Sequence, residues 1–350
     1  MAKMMALQKP TAAAGAKLIE AEIPKCGPLD VLVSVKATSI CGTDVHIYEW
    51  DAWAAGRIKP PLIFGHEMAG EVIEVGNTVK GFSVGDHVSA ETHISCGACF
   101  QCRTGNSHIC EQVKILGVDT QGVFAEYVAL PASNAWKNDK SFPHDVATAQ
   151  EPLGNAVHTV FDGDDANLAG QTVTMFGCGP IGTVACAVCK AAGANKVIAI
   201  DINDYKLSLA KKFGADVLIN ASTQDVVKEV LAQTNGKGAD VFLEMSGAPS
   251  AFSQGLKSLR AGGRASILGI PSKPVEINLA TEIVFKSAKI QGINGRLMYK
   301  TWYRAASLLS SGKVKLQELV THKFPMSEFE KAFETMMSGK SGKIVMYPGK

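Results

Sequence analysis

The sequence carries almost no net charge, few aromatic side chains and no extended basic run. Its 35 lysine and arginine residues nearly balance 33 acidic ones, which gives a formal net charge of +2 over 350 residues. A polyanion partner usually leaves a basic domain or a stripe of basic side chains, whereas the longest positive runs here are pairs such as Lys211-Lys212. The composition therefore argues against a nucleic-acid partner. The length indicates about two domains.

The sequence also lacks an apolar segment of the kind that directs secretion or spans a membrane. Residues 1–10 include Lys3 and Lys9 and hold no apolar run long enough for a signal-peptide core. Residues 167–189 are uncharged, but their closely spaced glycines and Pro180 favour a turn over a bilayer span. We therefore expect a cytoplasmic protein that does not contact a membrane.

The sequence contains nine cysteines, an odd number. Because we expect a cytoplasmic protein, these cysteines should lie in a reducing compartment, where disulfides are rare. Four of them follow the spacing C-x2-C-x2-C-x7-C in a loop-like segment. Four thiolates at tetrahedral corners hold zinc and leave no open coordination position. The alternative, four buried or free cysteines, is disfavoured because the segment is poor in large apolar residues. The predicted ligands of this structural zinc ion are Cys96, Cys99, Cys102 and Cys110.

A second C-x2-C pair, Cys186 and Cys189, lies in an apolar, alanine-rich run. Residues three apart share one face of a helix, so packing explains this pair better than zinc binding or redox chemistry.

A different metal site is indicated by Cys41 and by Gly65-His66-Glu67, about 25 residues further along. Cysteine, histidine and glutamate are all zinc ligands, and three protein ligands leave a position open for catalysis. A further carboxylate follows at Glu151. Taken singly, His66 would more often be a core histidine and Glu67 a surface charge. Together with the four-cysteine segment they predict a catalytic zinc site.

After about residue 165, short apolar runs alternate with segments of helical spacing. Such alternation predicts a parallel sheet with helices on both faces. We predict strands at 172–176, 196–201, 216–220, 239–245, 263–269 and 289–293, and helices at 181–192, 204–213, 224–234 and 250–259.

The first turn of this region is a G-x-G-x-x-G sequence formed by Gly177, Gly179 and Gly182. Glycines at these positions permit a tight turn, approach of a pyrophosphate and close helix packing. Asp201 ends the next predicted strand, where a carboxylate accepts hydrogen bonds from the adenosine ribose and repels the 2′-phosphate of NADP. The pattern therefore predicts NAD, with Lys206 as a weaker contributor. The alternative for Asp201 is a helix N-cap, a role that Asn203 can fill equally well.

An open zinc site and a nicotinamide site in one chain predict a single reaction. Zinc lowers the pKa of a bound alcohol, and NAD accepts a hydride from it. The proton then needs a route to solvent. Thr43 and His46, close to Cys41, are the predicted relay.

These motifs resemble the zinc-dependent medium-chain dehydrogenases/reductases over essentially the whole chain. Residues 39–50, 151–159 and 243–249 are most similar to the members that oxidise L-threonine. The resemblance implies oxidation of the L-threonine β-hydroxyl to 2-amino-3-oxobutanoate with NAD as acceptor. It also implies a Rossmann doubly wound parallel sheet at 154–295, and a mainly β, GroES-like catalytic domain formed by 1–153 and 296–350.

The resemblance also assigns residues and assembly. One catalytic zinc ion would be held by Cys41, His66 and Glu67, with Glu151 as an intermittent ligand or relay group, and His93 would tune substrate choice. Homotetramers are usual in this branch. The implied NAD contacts, beyond the glycine turn, are Ile181, Asp201, Lys206, Leu268, Gly269, Ile270, Ile293 and Asn294.

Two alternatives remain open at this stage. A polyol or 2,3-butanediol dehydrogenase of the same family uses a similar set of ligands. The second alternative is a non-catalytic relative that kept only the fold. Such a protein would have no need for an intact catalytic site, whose predicted residues here are Cys41, Thr43, His46, His66 and Glu67.

Overall fold

The computed structural model describes residues 2–161 and 167–349. The chain forms two compact units, one of Met1–Glu151 with Val320–Lys350 and one of Pro152–Leu319. The second predicted domain boundary falls after residue 295, whereas the second unit extends to Leu319 and includes one further helix. Within the described residues, no helix combines the length and apolar character needed to cross a membrane.

Strands and helices are numbered along the chain. The strands are β1 (Lys3–Lys9), β2 (Lys17–Glu22), β3 (Asp30–Ser39), β4 (Leu62–Ile63), β5 (Glu67–Val75), β6 (His87–Ala90), β7 (His93–Ile94), β8 (Lys114–Ile115), β9 (Tyr127–Pro131), β10 (Ala135–Lys137), β11 (Thr172–Phe176), β12 (Lys196–Asp201), β13 (Val217–Asn220), β14 (Ala239–Glu244), β15 (Leu259–Ile267), β16 (Lys289–Gly292), β17 (Val320–Pro325) and β18 (Lys343–Tyr347). The α-helices are α1 (Gly42–Glu49), α2 (Ala52–Arg57), α3 (Phe100–Arg103), α4 (His144–Ala147), α5 (Gln150–Phe161), α6 (Pro180–Ala191), α7 (Asp204–Lys212), α8 (Val226–Gln233), α9 (Pro249–Ser258), α10 (Lys300–Ser310) and α11 (Phe329–Met337).

The first unit is mainly β. Its largest sheet has the order β10-β6-β5-β3-β18-β17, with β9 also paired to β3, and β2-β1-β4 and β7-β8 form smaller sheets. Valines of β3 point into the core, and α11 covers that core with Phe329 and Phe333, which lie one helical turn apart. The ring of Phe333 stacks on that of Tyr48 at 4.4 Å between centroids. Because β18 pairs with β3, the last strand of the chain belongs to the largest sheet of this unit.

The second unit contains a six-stranded parallel sheet of order β13-β12-β11-β14-β15-β16. In chain order this is 3-2-1-4-5-6, the doubly wound arrangement whose strand order reverses between the first and fourth strands. The predicted fold class is confirmed. Buried Phe176 and Phe242 meet edge to face, 5.0 Å between ring centroids, in the core beneath the sheet.

Predicted and observed elements of this sheet agree closely, with one difference at β15. That strand begins at Leu259 rather than at Gly263. The added residues include Gly262, which has a φ of +70°, and β14 and β15 accommodate them through a shift in register. Uncharged residues 167–189 form β11, the glycine turn and most of α6, as predicted in place of a membrane span.

Candidate active site

The three predicted ligands of the catalytic zinc ion lie together in the first unit. One ligand atom from each of Cys41, His66 and Glu67 lies within 4.8 Å of the others. Cys41 immediately precedes α1, and Glu67 is the first residue of β5. His66 and Glu67 are 6% and 1% exposed, so these donor atoms converge in a site largely shielded from water.

The turn before His66 requires glycine. Gly65 has a φ of +83°, and a Cβ at this position would overlap the ring of Phe124. A side chain at residue 65 would therefore displace either Phe124 or the backbone that directs His66 into the site.

Asp44 supports His66 from behind, a role that sequence reasoning missed. Its carboxylate is fully buried, with Oδ1 3.5 Å from Nδ1 of His66, and its Oδ2 accepts the Cys41 backbone N–H at 2.9 Å. Burial lowers the pKa of His66, but the charges of Asp44 and Cys41 outweigh it and hold that pKa well above its usual value. A carboxylate behind a metal-binding imidazole orients the ring and increases its basicity. The available signal was the position of Asp44, three residues after Cys41 at the start of a helix.

Glu67 forms a buried ion pair with Lys343. The Nζ atom of Lys343 lies 2.7 Å from both carboxylate oxygens and donates to the Ile40 carbonyl at 3.2 Å, and the hydroxyl of Ser39 donates to Glu67 as well. Burial lowers the pKa of Lys343, yet the nearby charges of Glu67 and Cys41 raise it overall, so the ammonium form persists. Sequence reasoning missed Lys343, which lies 276 residues from Glu67.

Glu151 is the second residue of α5 and is 7% exposed. Burial raises the pKa of Glu67, Lys343 lowers it and the charge of Glu151 raises it, with a net upward shift. Glu151 is therefore close enough to interact electrostatically with the predicted metal ligands.

This donor set suits zinc. A thiolate, an imidazole and a carboxylate are the ligand types of zinc sites that keep one position for a substrate. Nδ1 of His66 and Oδ1 of Asp44 are buried and have no hydrogen-bond partner within residues 2–161 and 167–349. Buried polar atoms without a hydrogen-bond partner are uncommon. A metal ion bound to the other nitrogen of the His66 ring would strengthen the interaction between Nδ1 of His66 and Oδ1 of Asp44.

The second predicted site is also assembled. The sulfur atoms of Cys96, Cys99, Cys102 and Cys110 lie within 4.8 Å of one another, and Cys99 Sγ is 3.5 Å from Cys102 Sγ and 3.8 Å from Cys110 Sγ. Zinc–sulfur bonds of about 2.3 Å at tetrahedral angles place sulfur atoms about 3.8 Å apart. Backbone N–H groups donate to the sulfurs, and such bonds lower the pKa of Cys99 to about 6. Thiolates with these spacings fit a structural zinc ion.

The predicted relay residues lie on α1, immediately after Cys41. The Oγ1 atom of Thr43 is 3.9 Å from the sulfur of Cys41. The His46 side chain is 56% exposed, and its Nδ1 lies 2.6 Å from Oδ2 of Asp51. Asp51 also caps α2 by accepting the Ala54 backbone N–H at 3.0 Å, which fixes its carboxylate. Asp51 was not predicted.

His93 begins β7 and is 8% exposed. Its Nδ1 lies 3.3 Å from Oε1 of Glu91, and its carbonyl accepts a hydrogen bond from Asn134 at 2.9 Å. Its predicted part in substrate choice stays a prediction.

Cys186 and Cys189 are fully buried on α6, in agreement with packing. Burial raises the pKa of Cys189 to about 12. This pair is suited neither to metal binding nor to redox chemistry.

In the second unit, the glycine turn has the geometry that a pyrophosphate requires. Gly177 has a φ of +90°, and a Cβ there would lie 2.7 Å from the Ser246 nitrogen. A Cβ on Gly182 would overlap the carbonyl of Gly177, whereas a Cβ on Gly179 would meet no atom within 4 Å. The first and third glycines are thus required by packing, while the second faces open space at the start of α6.

A cavity of about 310 Å³ adjoins this turn, and its walls include Gly177, Gly179, Asp201 and Lys206. Asp201 accepts backbone N–H groups from Cys178 at 2.7 Å and Asn203 at 3.0 Å. Asn203 itself caps α7. The N-cap alternative for Asp201 is therefore wrong, since Asn203 has that role and Asp201 faces the cavity.

The other predicted dinucleotide contacts are outside the described lining of this cavity. Ile181 follows Pro180 on α6, and the remainder follow the carboxyl ends of β15 and β16. That edge of a doubly wound sheet is where dinucleotides bind. These residues are Leu268, Gly269, Ile270, Ile293 and Asn294.

Known families match both halves of this arrangement. Residues 27–140 match the family model for the alcohol dehydrogenase GroES-like domain, and residues 180–311 match that for zinc-binding dehydrogenases. The chain belongs to the zinc-binding alcohol dehydrogenases and is an oxidoreductase.

Full-length relatives are more specific. The L-threonine 3-dehydrogenase of Symbiobacterium thermophilum is 54% identical over 99% of this chain and 98% of its own. The L-threonine 3-dehydrogenases of Pyrococcus abyssi and Bacillus subtilis are 53% and 52% identical, with at least 98% of each chain covered.

Solved structures agree with the family. The Thermotoga maritima alcohol dehydrogenase is 28% identical with a TM-score of 0.90, and the alignment covers 99% of this chain and 100% of that one. An Escherichia coli alcohol dehydrogenase in complex with NADH is 29% identical with a TM-score of 0.88 and the same coverage. A Sinorhizobium meliloti protein assigned as a zinc-binding dehydrogenase, bound to NADP, has 29% identity, a TM-score of 0.90 and the same coverage.

Proposed function

We propose that this protein oxidises the β-hydroxyl group of L-threonine to 2-amino-3-oxobutanoate and reduces NAD to NADH. The observation that carries the proposal is the convergence of Cys41, His66 and Glu67 in a chain that also has a dinucleotide cavity. Relatives named for L-threonine, 52–54% identical over nearly the whole chain, favour this substrate over a polyol or butanediol.

The substrate carbon loses a hydride and its hydroxyl loses a proton. Bound zinc would act as a Lewis acid on the hydroxyl oxygen, and bound NAD would accept the hydride. Cys41, His66 and Glu67 would hold the metal, with Asp44 orienting His66. The remaining task of the chain is to remove the proton.

We propose that Thr43 and His46 do this. A hydroxyl accepts one proton while it donates another, and Thr43 lies 3.9 Å from Cys41 Sγ. With Nδ1 of His46 donating to Asp51, its Nε2 is the nitrogen that takes the proton. Because His46 is exposed, the proton then passes to solvent.

We propose NAD rather than NADP as the preferred acceptor. Two backbone N–H groups hold the Asp201 carboxylate at the cavity, where it would accept ribose hydroxyls and repel a 2′-phosphate. Each carboxylate oxygen has two lone pairs, so acceptor capacity remains. Lys206, the predicted weaker contributor to NAD binding, lines the same cavity. The ratio of kcat/KM for NAD and NADP measures the preference directly.

We further propose a cytoplasmic homotetramer. Support for association comes from β16, an edge strand whose four residues are all exposed, and from the apolar side chains of Leu279, Val284 and Phe285, which are 61–78% exposed. Light scattering on the purified enzyme measures the mass directly, and a monomer would contradict the assembly.

Product analysis tests the reaction. Incubation with L-threonine and NAD should yield one NADH for each 2-amino-3-oxobutanoate formed. Mass spectrometry measures this product together with aminoacetone, which forms when the product loses carbon dioxide. NADH formation with a product oxidised elsewhere would reject the proposal.

A further inference from the structure

Glu244, the last residue of β14, is fully buried and has no cationic partner among the described residues. Burying an unpaired carboxylate is costly. Neither zinc site uses this residue, and it is not among the cavity-lining residues. Its retention in the core of the second unit therefore calls for a specific role.

The carboxylate is held by donors from the loop that follows it. Oε1 accepts the backbone N–H groups of Ser246 at 2.9 Å and Gly247 at 3.0 Å, and Oε2 lies 3.2 Å from the Gly247 nitrogen. The Ser246 hydroxyl donates to Oε1 as well. Burial raises the pKa of Glu244 while these donors lower it, with a net upward shift. The loop thus wraps around one side chain.

Two other segments lie against Glu244 or against the loop that it holds. A Cβ on Gly269 would overlap Oε2 of Glu244, and the Gly269 backbone N–H donates to the Glu244 carbonyl at 3.1 Å. On the other side, a Cβ on Gly177 would lie 2.8 Å from the Ser246 Cα. Glu244 therefore holds the 245–248 loop, whose Ser246 lies against the glycine turn, and lies next to Gly269 beyond the end of β15.

Two of these segments, the glycine turn and the 245–248 loop, line the nucleotide cavity. Met245, Ser246 and Ala248 line it together with Gly177 and Asp201. A change in the 245–248 loop would alter the wall that faces Asp201.

We propose that Glu244 is a positioning residue for the dinucleotide, because its carboxylate holds the 245–248 loop where that loop completes the binding cavity. The inference rests on the dinucleotide site proposed above. It predicts that a glutamine at this position is a weaker substitute. Its carbonyl oxygen can take the place of Oε1, but its amide N–H₂ then occupies the Oε2 position and faces the Gly247 backbone N–H.

The test compares Glu244→Gln with Asp240→Asn. Asp240 lies near the opposite end of the same strand, where it pairs with Arg260 at 2.6 Å and accepts the Thr172 N–H at 2.7 Å. Calorimetric titration with NADH should give a Kd raised roughly tenfold for Glu244→Gln, equivalent to about 1.4 kcal/mol, and changed less than about twofold for Asp240→Asn. KM for NAD should rise while kcat at saturating NAD and zinc content stay near the original values.

A second readout needs no ligand. Amide hydrogen exchange in peptides covering 244–249 and 267–271 should accelerate in Glu244→Gln and not in Asp240→Asn. If Glu244→Gln does not fold, Ser246→Ala, which deletes the hydroxyl donor, should raise the Kd and accelerate exchange in the same direction.

The outcomes separate the two levels of the argument. If the original protein binds no NADH, the dinucleotide site itself is wrong. If it binds NADH and Glu244→Gln, or Ser246→Ala in its place, binds equally well with unchanged exchange, only the role of Glu244 is overturned. Equal loss of affinity in Asp240→Asn would also overturn it, because general destabilisation would then explain the effect.

Discussion

Replacing Lys343 by methionine removes the cation that pairs with Glu67 behind the metal site. Lys343 is 2% exposed, and its Nζ lies 2.7 Å from both oxygens of Glu67. Methionine retains an apolar stem and leaves the Glu67 charge buried without its partner. Loss of one member of a buried ion pair costs about 3–5 kcal/mol, and we expect that decrease in the free energy of unfolding of the zinc-free protein.

Lys9→Met is a matched control in the same unit. Lys9 is also fully buried, but in the part of the chain that the structure describes its Nζ donates to two carbonyl oxygens, those of Gly15 at 2.8 Å and Tyr48 at 3.1 Å, and to no carboxylate. Burial lowers the pKa of Lys9 to about 8. No carboxylate is left unpaired in this variant, so we expect a smaller loss of about 1–3 kcal/mol for the unpaired carbonyls.

Zinc should distinguish the two variants further. A zinc ion brings positive charge beside Glu67 and offsets the missing ammonium, so the loss caused by Lys343→Met should shrink when zinc is bound. The loss caused by Lys9→Met should not. Urea unfolding followed by tryptophan fluorescence reports on this unit, since Trp50, Trp53 and Trp136 are three of the four tryptophans and lie in it. Equal losses in the two variants, or a Lys343→Met loss independent of zinc, would show that the Lys343–Glu67 ion pair does not have this role.

Three further outcomes follow from the same geometry. Cys41→Ser should remove turnover and lower the zinc content from two ions to one per chain while leaving the fold; metal analysis that still finds two ions, with normal rates, would contradict the assignment. Asp201→Ala should lower the kcat/KM preference for NAD over NADP, and an unchanged ratio would mean that the carboxylate serves only the Cys178 and Asn203 amides. Burial, and for His87 the neighbouring His144 as well, lowers the pKa of both histidines below 6.5, so the unfolded chain takes up protons and stability falls as the pH drops below 6.5. His144→Gln should reduce that loss in acid denaturation measurements, whereas an identical pH dependence would exclude this pair as its source.

The parts of the fold that were predictable are those with a local pattern. Alternating short apolar runs and helical spacing located the strands of the parallel sheet, and the glycine spacing located its first turn. The four-cysteine segment was predictable for the same reason, since its ligands lie within 15 residues of one another, from Cys96 to Cys110.

Residues without a local pattern were not predictable. Lys343 contacts Glu67, 276 positions away in the sequence, because β18 pairs with β3. The spacing of residues in a local motif cannot predict a contact over that separation. The extent of the second unit was missed for a related reason. The apolar residues Trp302 and Ala305 show that one face of α10 is buried, but periodicity does not say which surface buries it. Glu244 likewise looks like an ordinary strand-end acid until its loop is folded around it.

The proposed substrate and metal are tested most directly by the rate of NAD reduction with the zinc-loaded enzyme across a panel of L-threonine, D-threonine, L-serine, 2,3-butanediol and sorbitol. We expect the highest kcat/KM for L-threonine and the loss of that activity on chelation, with recovery when zinc is restored. A strong preference for sorbitol or 2,3-butanediol would contradict the proposed substrate, and activity unaffected by complete removal of zinc would contradict the proposed site.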